Sequence, residues 1–167
     1  CPGAAACGDG TLSISVAGSG TASYNGDIGD VDGGTGGGKI NIVVTGTGTQ
    51  ILGGGHSYSG TTTINGGALQ LDSVTAVSPV TVNSGGTLKG NGITSGTLSV
   101  AAGGFVALGA GVGTLTTGTT TLAGTYACEV DGSIGDRLNV NGALNLTGST
   151  LAINELSPIL EPSYVIA

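Results

Sequence analysis

The chain alternates small polar and aliphatic residues over short runs. In Thr97-Leu98-Ser99-Val100, as in Leu12-Ser13-Ile14-Ser15-Val16, polar and apolar positions exchange with a period of two. That period marks a β-strand with one buried face. Strand-like runs fall at 11–16, 39–44, 61–64, 68–71, 80–82, 97–100, 105–108, 119–122, 125–130, 137–140, 143–146, 150–153 and 163–166. Gly, Asn and Ser occupy the gaps as turn residues.

A repeat underlies the alternation. Ile64-Asn65-Gly66-Gly67-Ala68-Leu69 is echoed by Val82-Asn83-Ser84-Gly85-Gly86-Thr87-Leu88. The step from Ile64 to Val82 recurs from Val82 to Val100, where Val100-Ala101-Ala102-Gly103-Gly104-Phe105-Val106 follows. A looser copy begins at Leu122 after a longer step, and the original step returns from there to Val140-Asn141-Gly142-Ala143-Leu144. Val44-Thr45-Gly46 precedes Ile64 by a slightly longer interval. Three strands of about five residues with tight corners consume one such period. That is one coil of a parallel β-solenoid, each coil pairing with the next at about 4.8 Å. An antiparallel sandwich also gives many short strands, but it does not require one corner motif at a fixed interval. The fold class predicted is therefore all-β, a single-chain parallel β-helix with coils of about 18–22 residues. The expected corner residues are Asn65, Gly67, Asn83, Gly86, Gly104, Asn141 and Gly142. At such corners Gly and Asn supply positive φ at little cost.

Composition narrows the function. The 167 residues include 36 Gly, one Phe, no Trp and no Met. A stack of coils buries each face on its neighbour and needs no large aromatic core. Without Met, the chain is expected to be a processed product or a fragment. Lys39, Lys89 and Arg137 are the only Lys and Arg, against ten Asp and Glu, for a net charge of -7. Nucleic-acid binding depends on neutralising phosphates and is excluded on that balance. No apolar run reaches the roughly 20 residues of a membrane-spanning helix. Residues 1–38 lack the repeat and are expected to form an arm or cap, with Gly33-Gly34-Thr35-Gly36-Gly37-Gly38 as a flexible joint. The solenoid is expected over 39–167, with nothing resembling a polar cap at its C-terminal end.

The stretch Gly46-Thr47-Gly48-Thr49-Gln50-Ile51-Leu52-Gly53-Gly54-Gly55-His56-Ser57-Tyr58-Ser59-Gly60-Thr61-Thr62-Thr63-Ile64-Asn65-Gly66-Gly67-Ala68-Leu69-Gln70-Leu71 is distinctive. It resembles the autotransporter-associated β-strand repeat of secreted bacterial passenger domains. Gly135-Asp136-Arg137-Leu138-Asn139-Val140-Asn141-Gly142-Ala143-Leu144-Asn145-Leu146 resembles the closing coils of such passengers. With the repeats between, the resemblance spans about residues 40–166. It implies a right-handed β-helix exported to the cell surface or beyond. No membrane β-barrel pattern follows, so the chain is not expected to be a complete autotransporter. The family shares no catalytic residues, so the resemblance assigns none here.

Candidate chemistry is sparse. Glu129 and Asp131 fall on one strand face with Asp136 and Arg137 close behind. They form a candidate acid/base group for a polysaccharide-active enzyme, although a solvated face, with Asp136 capping a turn and Arg137 pairing with it, is the favoured reading. Asp27, Asp30 and Asp32 before a Gly-rich turn are a weak calcium candidate; no other cofactor is expected. His56 beside Tyr58 reads as a turn residue. The Thr pairs of 45–47, 61–63 and 119–121 do not recur at each step of the repeat, so no continuous ice-binding row is implied. Asn145-Leu146-Thr147 is a glycosylation sequon, read as a coincidence. Cys1-Pro2 reads as a lipid-modified end or a processed one. Cys1, Cys7 and Cys128 are candidates for disulfides and for locking chains together, since disulfides persist outside the cytosol.

These observations predict a secreted, non-enzymatic structural protein, extracellular or at the cell surface. Its main expected partner is itself, in a filament formed by head-to-tail stacking or by exchange of the strand at 11–16. The alternative is a monomeric passenger-type adhesin or stalk that engages surface glycans or other cells. A polysaccharide-active enzyme and an ice-binding protein stand below both.

Overall fold

A computed structural model describes residues 8–30, 37–72, 74–76, 78–109, 111–159 and 163. The expected strand at 163–166 lies, apart from Ser163, outside the described residues, as do Cys1, Cys7, Asp32 and most of the Gly-rich joint.

Seven coils stack along one axis. The first holds β1 (Gly10–Val16), β2 (Thr21–Tyr24) and β3 (Ile28–Gly29). The second holds β4 (Ile40–Gly46), β5 (Thr49–Leu52) and β6 (His56–Ser57). The third holds β7 (Thr62–Ile64), β8 (Gly67–Leu71) and β9 (Val74–Ala76), and the fourth β10 (Val80–Val82), β11 (Gly86–Lys89) and β12 (Ile93–Thr94). Next come β13 (Leu98–Val100), β14 (Phe105–Ala107) and β15 (Thr114–Thr117). The sixth coil holds β16 (Thr120–Leu122), β17 (Thr125–Asp131), β18 (Ile134–Gly135) and β19 (Arg137–Val140). The last holds β20 (Leu144–Asn145) and β21 (Thr150–Ser157).

Each coil contributes strands to the same faces. Face A is β1-β4-β7-β10-β13-β16-β20. Face B is β2-β5-β8-β11-β14-β17, with β21 added on β17. Face C has two parts, β3-β6 and β9-β12-β15-β19. Among the described residues every pairing between coils is parallel; only the β17–β18 hairpin is antiparallel. The chain is a parallel β-solenoid.

Register converts sequence period into interior ladders. Ile14, Val44, Ile64, Val82, Val100 and Leu122 stack on face A. Gln50, Leu69, Leu88, Val106, Tyr126 and Leu151 stack on face B. From Val44 to Leu122 and from Leu69 to Val106 these positions are essentially sealed from solvent. Burying one such side chain contributes about 1.5–3 kcal/mol, so repetition rather than size builds this core.

Two expectations are corrected. Residues 10–29 are not an arm: β1, β2 and β3 are the first coil, registered strand for strand on β4, β5 and β6. The period concealed it because Gly10 pairs with Ile40, a much longer step than that from Ile42 to Thr62; the intervening joint lengthens the first coil. Nor does Val140 sit over Leu122. It pairs with Thr117 on face C, while Thr121 pairs with Asn145 on face A. The β17–β18 hairpin adds the residues that break the regular step.

Corner glycines differ in what they tolerate. Gly90 has φ +100, and a Cβ there would strike the Leu71 carbonyl of the coil below. Gly85 has φ +84 with open space around it. Gly85→Ala therefore meets only backbone strain, about 1–2 kcal/mol. Gly90→Ala adds an overpacking cost of about 1–3 kcal/mol. Urea denaturation followed by circular dichroism should order them wild type, Gly85→Ala, Gly90→Ala; equal midpoints for the two variants would contradict the coil-to-coil approach.

Candidate functional site

The acidic residues near the start of the chain act on backbone amides. Asp30 Oδ1 accepts the Ile40 amide at 2.8 Å, and Oδ2 accepts the Ser59 hydroxyl at 2.6 Å and the Ser59 amide at 2.9 Å. The Ser59 hydroxyl bond, followed by the Ile40 amide bond, holds its pKa below the usual carboxylate value. Asp27 Oδ1 accepts the Gly55 amide at 2.9 Å. Both carboxylates thus tie the first coil to the second. Among the described residues, no three His, Cys, Asp or Glu side chains group as metal ligands.

The acidic group late in the chain is arranged differently from a pair of acid and base. Alternation holds along β17: Tyr126, Cys128 and Val130 are buried, with Glu129 and Asp131 on the outer side. Glu129 Oε2 accepts the Gly111 amide at 2.6 Å and Oε1 accepts the Asn154 side chain at 3.4 Å. Asp131 accepts the Ser157 hydroxyl. Asp136 is fully buried, and Arg137 beside it is exposed. The Asp136 oxygens accept the Gly113 and Glu129 amides, each at 2.8 Å, so Asp136 caps backbone amides as expected, from a buried position rather than a solvated face. Burial pushes the Asp136 pKa up, and the two amide bonds oppose that shift.

His56 is buried inside the coil rather than placed in a solvated turn. Its Nδ1 accepts the Ile28 amide at 3.2 Å, so Nε2 carries the proton, and Nε2 is buried without a hydrogen-bond partner. Burial lowers its pKa, while Asp27 pulls the other way. Tyr58 is also buried; its hydroxyl bonds Thr62 Oγ1 at 2.7 Å, and Thr62 bonds Ser78 Oγ at 3.1 Å. Ser78 Oγ donates to the Gly60 carbonyl at 2.6 Å. This interior hydroxyl corner, where the chain turns from face C to face A, carries no sequence signal apart from Thr at inward positions.

The expected corner residues divide between two corners. Asn83 Nδ2 donates to Asn65 Oδ1 at 2.7 Å, one coil above the other. Gly67 pairs with Gly86, and Gly104 precedes Phe105, which pairs with Thr87. These five line the A–B corner. Asn141 and Gly142 lie instead between β19 and β20; the Asn141 amide donates to the Thr117 carbonyl at 2.7 Å. The hydroxyl residues also depart from expectation. Registered steps of unequal length assemble Ser13, Val43, Thr63, Thr81, Ser99, Thr121 and Asn145 into one outward column on face A. The row is continuous in space but broken chemically at Val43 and Asn145. Asn145 of the sequon is exposed and accepts the Thr147 amide at 3.0 Å.

Cys128 is free and buried, not a surface link between chains. It points inward as the second residue after Tyr126, and burial pushes its thiol pKa up. The Tyr126 hydroxyl beside it is buried without a hydrogen-bond partner.

Residues 42–71 match the model of the passenger-associated-transport-repeat. The matched span runs from Ile42 in β4 to Leu71 at the end of β8, one full circuit of the solenoid and part of the next. Residues 42–71 are thus similar to a passenger-associated transport repeat. A 71-residue stretch is 38% identical to the adhesin BmaC autotransporter of Brucella suis biovar 1 (strain 1330). That match covers 41% of this chain and 2% of the adhesin. The passenger repeat thus coincides with a structural coil.

Two outcomes follow from the buried and capping groups. Cys128 should resist alkylation by iodoacetamide in the native protein and react fully in urea, since a buried thiol is not ionised; native labelling at the unfolded rate would contradict its placement. Asp30 has a folded pKa below its unfolded value, so its contribution to stability is present above pH 3.8 and is lost as pH falls through the folded value. The difference in melting temperature between wild type and Asp30→Ala should therefore be largest near neutral pH and close in strong acid. A pH-independent gap would show that Asp30 does not act through its charge.

Proposed function

We propose that this chain is a segment of an exported, surface-displayed passenger of the adhesin type. Its role is mechanical and non-enzymatic: a rod that carries adhesive surface and joins further coils at its ends. The passenger repeat and the adhesin relative support export and adhesion. The acid and base candidates are occupied in holding backbone amides, which supports a structural role.

One observation carries the end-joining. Among the described residues, each end of the stack presents interior side chains beside parallel strand edges. At one end Leu12, Ile14, Tyr24 and Ile28 line an apolar hollow of about 330 Å³. At the other, Leu146 and Leu151 line a hollow of about 130 Å³, and Ile153 is 61% exposed. Among the described residues, nothing pairs with the outer edges of β1, β2 and β3 or of β20 and β21. Unpaired edges of this kind template addition of another strand. On faces A and B the first and last coils present strands of the same direction, so in this reading a further coil, from the chain's own continuation in a longer passenger or from a second copy, adds head to tail, β1 following β20 and β2 following β21. Such a heterologous contact propagates rather than closes. Exchange of residues 11–16 is not needed, because β1 is already engaged in its own coil.

Electron microscopy and light scattering over a concentration series test this reading. Rods that lengthen with concentration at constant width are expected. Monomers at every concentration would overturn end-to-end assembly and leave the adhesive rod as the surviving part.

A further inference from the structure

The repeat is interrupted in one place that does not serve stacking. The link from face B to face C is short in the fourth coil, 90–92, and twice as long in the fifth, 108–113. On face C, Ile93 accordingly pairs with Thr116, a longer step than that from Thr87 to Phe105 on face B. In repeat proteins such insertions map to loops on one side, frequently the binding side.

Leu108, Gly109, Gly111 and Val112 of the longer link form one wall of a half-open cleft of about 460 Å³. Three successive coils line it: Gln70 in β8 and Asp72 just after it, Asn91 before β12, and Gly111 and Val112 of the long link. That wall is fixed from the next coil. Glu129 takes the Gly111 amide and buried Asp136 takes the Gly113 amide. A Cβ at Gly113 would collide with the Asn91 side chain, so a glycine there lets the link close down on Asn91. Burying a carboxylate is costly unless it is hydrogen-bonded. Using one to clamp a surface link makes sense if the shape of that link is used.

We propose that this cleft binds a neutral saccharide unit. The proposal rests on the adhesive reading above and names the ligand class for it. The volume lies within the range of small-ligand sites. The carboxamides of Gln70 and Asn91 each offer donors and an acceptor, and Asp72 offers acceptors, a set that matches adjacent sugar hydroxyls. Gln70 Nε2 donates to Asp72 Oδ2 at 2.7 Å, which orients both groups before a ligand arrives. Val112 supplies an apolar contact for the carbon face of a ring. Among the described residues no Lys or Arg lines the cleft, and the chain carries a net charge of -7, so uronic and sialic acids are disfavoured. A single carboxylate is too few for a dedicated calcium site. With no aromatic platform, affinity in the millimolar range is expected for a single sugar; the repeated copies of a surface array raise it by avidity.

The test is a titration of the ¹⁵N-labelled chain, followed by NMR, with neutral hexoses, N-acetylhexosamines and lactose, and with glucuronate and sialic acid as anionic controls. At least one neutral sugar should give saturable shifts at the Gln70 and Asn91 side-chain amides and at Gly109 and Gly111. The Gln70→Ala/Asn91→Ala double variant, with its remaining spectrum unchanged, should weaken binding tenfold or more. Absence of saturable shifts with every neutral sugar into the tens of millimolar, shifts confined to another surface, or binding of the anionic sugars alone would overturn the proposal. Host-cell adhesion of the same chain separates the two readings. Adhesion untouched by the double variant sinks the cleft but keeps the adhesin. Sugar binding without adhesion keeps the cleft and sinks the adhesin.

Discussion

Registered parallel pairing between coils is the interaction on which everything else rests. A single coil buries almost nothing by itself. Stacked at the strand spacing of about 4.8 Å, it lays Ile64 on Val44 and Val82 on Ile64, and a dry interior appears. Cooperative stacking of this kind makes stability a sum of neighbour interfaces. It also explains how a chain with one Phe and no Trp can hold a fold. The same constraint sets the polar groups. Asp27, Asp30, Glu129 and Asp136 all accept amides from a neighbouring coil, so the scarce charges are used as struts between layers.

The regular middle of the stack was legible because there period and register coincide. Val80–Val82 and Arg137–Val140 match their expected bounds, and the Asn65–Asn83 stack follows from the corner motif. Legibility failed wherever a coil changed length. The first coil, lengthened by the Gly-rich joint, read as an arm. The hairpin at Ile134 moved Val140 to another face and separated Asn141 from the asparagine row. Short strands such as Ile28–Gly29 and His56–Ser57 were missed because two residues carry no alternation. The outward column on face A is hidden for a related reason: Thr63, Thr81 and Ser99 keep the regular step, but Val43, Thr121 and Asn145 join the column at other intervals.

The site was less legible than the fold. Sequence alone placed Glu129 and Asp131 on one outer face, and the structure agrees. It could not show that Asp136 turns inward, since burial of an aspartate depends on amides that only folding supplies. Nor could it bring Gln70 and Asp72 to Asn91, which meet only because the third and fourth coils superpose. Irregularity therefore carries information in two ways here. It hides coils from a periodic reading, and it marks the places where the wall of the rod departs from simple stacking.

The most direct test of this architecture is the pattern of backbone contacts in NMR. The account predicts parallel cross-strand contacts linking Leu12 with Ile42, Val44 with Ile64 and Leu88 with Val106. An antiparallel pattern among these strands, or a residue 10–16 segment free of contacts with 40–46, would contradict it.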